Sequence, residues 1–403
     1  MMMVDSHIRN STSRRIPVVL LFALIIGLIV WANYSTVAIQ AGRMTNQDFM
    51  SLWTGGKAIA LGLNPYDAKV WRPLRAAYGS TWMPDPVSPF PLWTLLFFVP
   101  FSFLTTQAAG ALWMTICELS LVWGIALLAQ RLGWKGRSHL LLLLGAALFR
   151  PTFHAIRRGQ LSPVLFVLLA AAYALHERDH PFGAGLLLAL QIVKPNLAAT
   201  FLPTVGMIFL IRRDWRALTG MLTGGLILLA ASWIVLPGWL FQWLAAAEKA
   251  RVAYKTPTLW GLAYELGGER LWPASAIVAG GLLYLGLLLF LWRRRQSDWL
   301  FGLCLAVIAS TFLTPYLWVY EQLVLLFPTI VALHWGLISE RGPRWAWWGG
   351  WWLASVVLSW LLFFVAIRYG VDTWSAFVPL ASLGYLLLAW HALGKGKQTA
   401  ATH

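Results

Sequence analysis

Apolar runs close to the length of a membrane-crossing helix recur from one end of this chain to the other. That repetition leaves few folds open. A hydrocarbon layer of ~30 Å takes about 20 residues of helix, and backbone N–H and C=O groups inside it must be paired internally. Such runs cover 17–38, 107–130, 138–153, 162–176, 182–194, 197–211, 217–236, 273–292, 297–314, 319–339, 345–367 and 373–393. Composition removes the alternatives. Of 403 residues, 59% are hydrophobic and 11% charged, against roughly 25% charged in a soluble domain. A soluble enzyme, a disordered chain and a fibrous repeat are excluded. The expected fold is an all-α polytopic membrane protein of about 12 transmembrane helices, a single membrane domain over 1–403.

The first run follows Arg14 and Arg15 and is longer than a usual signal-peptide core, so it reads as an uncleaved anchor. One further stretch, 89–104, is short and carries Pro89, Pro91 and Pro100. If it does not cross, 17 of the 31 basic residues fall on one side, among them Arg14, Arg15, Arg131, Arg137, Arg212, Arg213, Arg293, Arg294 and Arg341. That is the positive-inside pattern. Residues 89–104 are therefore expected to be re-entrant or interfacial, in an inner or plasma membrane protein with both termini cytoplasmic. Two long loops, 39–106 and 237–272, then face outward and are expected to form the active-site face. The outer side keeps 14 basic against eight acidic residues. Orientation alone does not produce that excess, which reads as a surface for a lipid phosphate.

Several residues stand out by type and place. Asp48 opens DFMSLWTGGKAIALGLNPYD, residues 48–67. There Phe49, Leu52, Trp53, Ile59, Ala60 and Leu63 make an apolar face, which reads as a juxtamembrane helix lying along the surface. Gly62 and Asn64-Pro65 stop it. Asp48 is either an N-cap, a role Asp favours, or a working carboxylate just above the bilayer. Arg157 and Arg158 precede Gly159-Gln160 at what reads as a helix start, where N–H groups and the dipole attract anions. They bind a phosphate or anchor to lipid headgroups. Lys194 lies between two short runs beside Pro195. A lysine at membrane depth is a functional candidate, or it snorkels to the interface.

Arg251 and Lys255 are four apart, on one face if helical, and form either a second wall of the site or a solvated face. Trp318, Tyr320 and Glu321 sit where a turn meets a span, as sugar-contacting groups or as belt aromatics with a neighbouring carboxylate. Tyr66 contacts substrate or, with Asp67, only pins the first loop. Glu118 is a lone carboxylate in mid-span, and Gly220-x-x-x-Gly224 reads as close helix packing. Cys117 and Cys304 lie in apolar runs and suggest neither a disulfide nor a metal site. Walker A, dinucleotide-binding and His-Glu-x-x-His motifs are missing from the chain. No nucleic acid partner or cofactor is expected, and no set of metal-ligating residues stands out, which leaves metal dependence open.

An ordered set of short motifs carries a resemblance. Asp48-Phe49, Trp53, Ala58, Gly62 and Asn64-Pro65-Tyr66-Asp67 are followed by Ser88-Pro89-Phe90-Pro91-Leu92. Then come Gly159-Gln160 with Ser162, Lys194-Pro195, and Thr314-Pro315-Tyr316-Leu317-Trp318. Together they resemble glycosyltransferase family 87, GT-C type membrane enzymes related to polyprenyl-phosphate-mannose-dependent α-mannosyltransferases. One position departs: the family often has His-His where this chain has Tyr320-Glu321.

The resemblance implies transfer of a sugar, mannose or another hexose or pentose, from a polyprenyl-phosphate donor to a lipid or glycan acceptor. It implies Asp48 as general base, inversion by direct displacement, and phosphate binding by Arg157, Arg158, Lys194, Arg251 and Lys255. Substrate contacts then fall to Gln160, Tyr66, Trp318, Tyr320 and Glu321, in a chain expected to be monomeric. A secondary transporter or lipid-linked-sugar flippase is the competing class. It predicts internal repeats and several intramembrane charges, whereas no repeat is visible and Glu118 is the clear mid-span charge.

Overall fold

The computed structural model describes residues 23–37, 48–81, 85–134, 136–249, 255–294, 298–339 and 341–400. Every regular element in them is helical. The first helices are α1 (Ala23–Val37), α2 (Asp48–Ala60), α3 (Ala68–Ala77) and α4 (Leu92–Leu96). Next come α5 (Thr106–Arg131), α6 (Arg137–Leu148), α7 (Arg150–Arg158), α8 (Ser162–His176), α9 (Pro181–Ala189), α10 (Pro195–Arg212) and α11 (Trp215–Val235). They are followed by α12 (Trp239–Lys249), α13 (Leu259–Leu271), α14 (Ala274–Arg293), α15 (Trp299–Phe312) and α16 (Leu326–Ile338), then α17 (Arg344–Trp352), α18 (Leu358–Tyr369) and α19 (Phe377–Ala400).

Each of the twelve expected runs contains helix, but they are not twelve equal spans. Among the described residues, seven helical stretches are long and apolar enough to cross a membrane. An eighth is counted if the pair Ser138–Leu148 and Arg150–Arg158, bent by 65°, is one broken span. Ala23–Val37, Ser162–His176, Pro181–Val193 and Trp299–Phe312 are shorter. At 1.5 Å per residue, a helix of 15 residues reaches only ~22 Å. Prolines cause part of this shortening. Pro163, Pro181 and Pro195 each stand in a first helical turn, where the missing N–H does no harm but continuation from the preceding chain is blocked.

Residues 89–104 form no continuous helix. They break into α4 and a 3-10 turn, Pro100–Phe103, with Leu92, Leu95 and Phe98 fully buried. The surface-lying reading of 48–67 is corrected. Nine of the thirteen residues of α2 are buried, including Ser51 and Thr54 on the side opposite the apolar face. α4 and the 3-10 turn pack onto the apolar side of the helix, where Phe98 meets Phe49 and Gly56, Leu95 meets Gly55, and Phe101 O accepts from Trp53 Nε1. Its stop is as expected: Gly62 takes a left-handed φ of 69°, and Leu63 N bonds Ala58 O at 2.8 Å.

The centre of the bundle is α15 and α16, buried along nearly their whole length. Backbone contact fixes α11 against α9. A methyl on Gly220 would lie 2.1 Å from the Phe182 carbonyl oxygen, which is the close packing that small residues allow in membranes.

Candidate functional site

Four chain segments far apart in sequence bring their ends together at one place. Asp48 is the first residue of α2. Gln160 follows the C-cap of α7. Lys194 occupies the break between the 3-10 turn Leu190–Val193 and α10. Tyr320 and Glu321 belong to the 3-10 turn Val319–Leu325 that leads into α16. Helix ends suit this purpose, since they expose backbone groups and change chain direction.

The side chains form one continuous network. Gln160 Nε2 and Tyr320 Oη both donate to Asp48 Oδ2, the latter at 3.0 Å. Lys194 Nζ donates to Gln160 Oε1 at 3.1 Å and to Glu321 Oε1 at 2.7 Å. Glu321 also accepts from Asn196 Nδ2 at 3.0 Å and from the Trp318 backbone N–H at 2.8 Å. Lys194 is 6% exposed and Glu321 1%, so each buried charge is matched by its partner, as burial requires.

The network also sets an orientation. An ammonium group only donates, so the Gln160 oxygen must face Lys194. The Gln160 NH₂ group is then left facing Asp48. Both bonds to Asp48 fall on Oδ2, and among the described residues Oδ1 accepts none.

Local sequence explains how the pieces stay put. Gly159 is left-handed, φ 63° and ψ 44°, and a Cβ there would lie 2.7 Å from Phe49 Cβ. Glycine is therefore needed both for the turn that presents Gln160 and for the approach of α2. Trp113 Nε1 holds the Gly159 carbonyl at 2.8 Å. The helix break before Pro195 frees carbonyl groups, and α4 satisfies two of them. Trp93 Nε1 donates to Ile192 O at 3.0 Å and Thr94 Oγ1 to Val193 O at 2.7 Å.

The expected residues separate into groups. Asp48, Gln160, Lys194, Tyr320 and Glu321 are brought together. Arg158 joins them, with its guanidinium 5.8 Å from the Tyr320 ring centre. Arg157 does not, since it stands over Phe153 at 6.0 Å. Both arginines lie in the last turn of α7, which corrects the helix-start reading. The α7 dipole there favours cations and supplies no N–H cradle.

Trp318 is partly exposed beside Tyr316, to whose hydroxyl its Nε1 donates. Tyr66 donates to Phe90 O at 2.9 Å and so pins the 88–92 strap, while Asp67 caps α3 through Lys69 N at 2.8 Å. The strap crosses the site: the Phe90 ring lies 5.8 Å from Lys194 Nζ. Lys255 is exposed, next to buried Thr256 and Thr258. Arg251 lies outside the described residues.

Some participants escaped the sequence reading. Arg75 is buried, donates to Ser80 Oγ at 2.9 Å, and lies within electrostatic reach of Asp85 and Asp48. Burial pushes the Asp85 carboxyl above the usual carboxylate range. Arg75 opposes that shift and the Asp48 charge adds to it. No spacing rule links these positions to Asp48. Asn196 was more accessible to reasoning, because it follows the helix break at Lys194-Pro195 by a single residue.

The profile of glycosyltransferase family 87 matches residues 89–319, more than half of the chain. Gln160, Lys194 and Trp318 fall inside that match, while Asp48, Tyr320 and Glu321 lie outside it. Searches of curated proteins and of solved structures returned no match.

Proposed function

From the premise that this chain belongs to glycosyltransferase family 87, we propose that it moves a sugar from a polyprenyl-phosphate donor to a hydroxyl acceptor, with Asp48 as the general base. The observation that carries this reading is the asymmetry of the Asp48 carboxylate. Oδ2 is held by two donors and, among the described residues, Oδ1 by none, which leaves Oδ1 for the proton of an acceptor hydroxyl.

The acceptor oxygen attacks the anomeric carbon as its proton passes to Asp48 Oδ1. The bond from that carbon to the phosphate oxygen breaks, and its electron pair leaves with the lipid phosphate. Direct displacement inverts the anomeric centre. Arg158 is placed to receive the phosphate, since guanidinium groups pair with it in bidentate fashion. Lys194 has three N–H bonds, two of them used for Gln160 and Glu321, leaving one for the same phosphate. Tyr316 and Trp318 offer aromatic faces to the sugar, and Asn196 a polar edge. The side with two long loops and excess positive charge is the outer side in this reading, and no metal is called upon.

The test is sugar transfer by purified Asp48→Asn from a polyprenyl-phosphate donor. A loss of about 10²–10⁴-fold is expected with an unchanged thermal midpoint. Near-normal transfer removes Asp48 from the mechanism.

A further inference from the structure

Arg157 and Arg158 are neighbours in sequence that serve different spaces. Successive helical residues point about 100° apart. Arg158 stands over Tyr320, which bonds Asp48, whereas Arg157 stands over Phe153. Phe153 and Arg157 line a cavity of about 610 Å³ whose walls include Val37 of α1 and Met114, Leu121 and Val122 of α5. It shares no lining residue with the network of Asp48, Gln160, Lys194, Tyr320 and Glu321. Residues 114–122 run ~12 Å along a membrane-crossing helix, so the cavity is an apolar groove beside a span with a guanidinium at its edge. Its size is that of a small-molecule site.

We infer that this groove binds an anionic phospholipid of the bilayer as a non-reacting ligand, one acyl chain lying along α5 and the phosphate on Arg157. Charge complementarity selects the headgroup. An exposed arginine at the rim of an apolar groove is matched by a lipid phosphate without a compensating cation such as choline. The carboxyl group in the wall, Glu118, does not supply the headgroup contact, because Asn33 Nδ2 donates to its Oε2 at 3.0 Å and ties α5 to α1. The inference does not depend on the sugar-transfer reading, since the groove and the Asp48 network are separate.

The experiment is native mass spectrometry of the full chain with phosphatidylglycerol or phosphatidylcholine added in mild detergent. One phosphatidylglycerol should be retained per chain, about fivefold more tightly than phosphatidylcholine. Arg157→Gln should remove that preference. Val122→Trp should remove the bound lipid while leaving the lipid-free thermal midpoint unchanged. If Val122→Trp lowers that midpoint, Ala147→Trp, at an exposed position lining the same cavity, replaces it with the same expected loss. Three results would overturn the proposal: equal retention of the two lipids by wild type, retention that ignores the substitutions, and one-for-one displacement of phosphatidylglycerol by a polyprenyl phosphate. The last would assign the groove to the donor.

Discussion

Two buried ion pairs lie among the helix ends and loops around the site, and they differ in what they lead to. Lys194–Glu321 spans 2.7 Å with side chains 8% and 1% exposed. Arg150–Asp372 spans 2.8 Å with side chains 3% and 27% exposed. Arg150 also donates to Ser375 Oγ at 3.1 Å and packs over Phe363 at 4.5 Å, tying α7 to the turn before α19, and among the described residues it has no hydrogen bond to the Asp48 network. Lys194 continues through Gln160 to Asp48. Equal distance thus conceals unequal roles. One pair is a latch with a half-hydrated end, and the other sets the hydrogen-bond polarity of a carboxylate.

The comparison can be broken by substitution. Lys194→Met should have the largest effect, costing about 3–5 kcal/mol because Glu321 is left charged and buried. Transfer should fall more than stability explains, because Gln160 loses the group that orients its amide. The double change Lys194→Met with Glu321→Leu should recover most of the thermal midpoint and none of the transfer. Recovery of both would reduce the pair to structure. Tyr320→Phe removes one donor to Asp48, and a charged hydrogen bond is worth about 1.5–3 kcal/mol. Transfer rates should drop at least about tenfold, with a stability loss no larger than that bond's worth, and unchanged kinetics would separate Tyr320 from the reaction.

Arg150→Met should cost about 1–3 kcal/mol, softened because Asp372 can regain water, with transfer kept near wild type in the folded fraction. A collapse of transfer would erase the distinction between the two pairs. The smallest effect concerns pH. Asp85 holds its proton more tightly when folded than when unfolded. Its stabilising contribution is therefore full below the ordinary carboxylate range and is lost as pH rises through its raised folded value. Asp85→Asn should flatten that decline in a thermal-midpoint series from pH 4 upward. An unaltered slope would place Asp85 in water.

Much of this could be read from the sequence, for identifiable reasons. Long apolar runs reported spans because burial in lipid acts on composition. Pro89, Pro91 and Pro100 foretold a broken segment because proline acts on its own backbone. Gln160, Lys194 and Asp48 were found through motif order. What failed was direction. The arginine pair was given one role although α7 turns its two members into different spaces, and α2 was laid on a surface although its polar-looking side is buried. Arg75 escaped because its link to Asp48 depends on how α3 packs, which no spacing records. The shortness of α8, α9 and α15 was hidden because apolar composition continues across helix breaks that only capping and proline reveal.

One contact in α2 reaches further than its size suggests. A methyl on Gly56 would stand 2.5 Å from the Phe98 carbonyl, two helical turns beyond Asp48. The depth of the carboxylate is thus calibrated by a missing carbon atom. Alanine at this position would act as a shim beneath a lever, tilting α2 off its seat and lifting Asp48 away from Gln160 without altering any residue of the network. Proteins built this way can lose alignment before they lose shape.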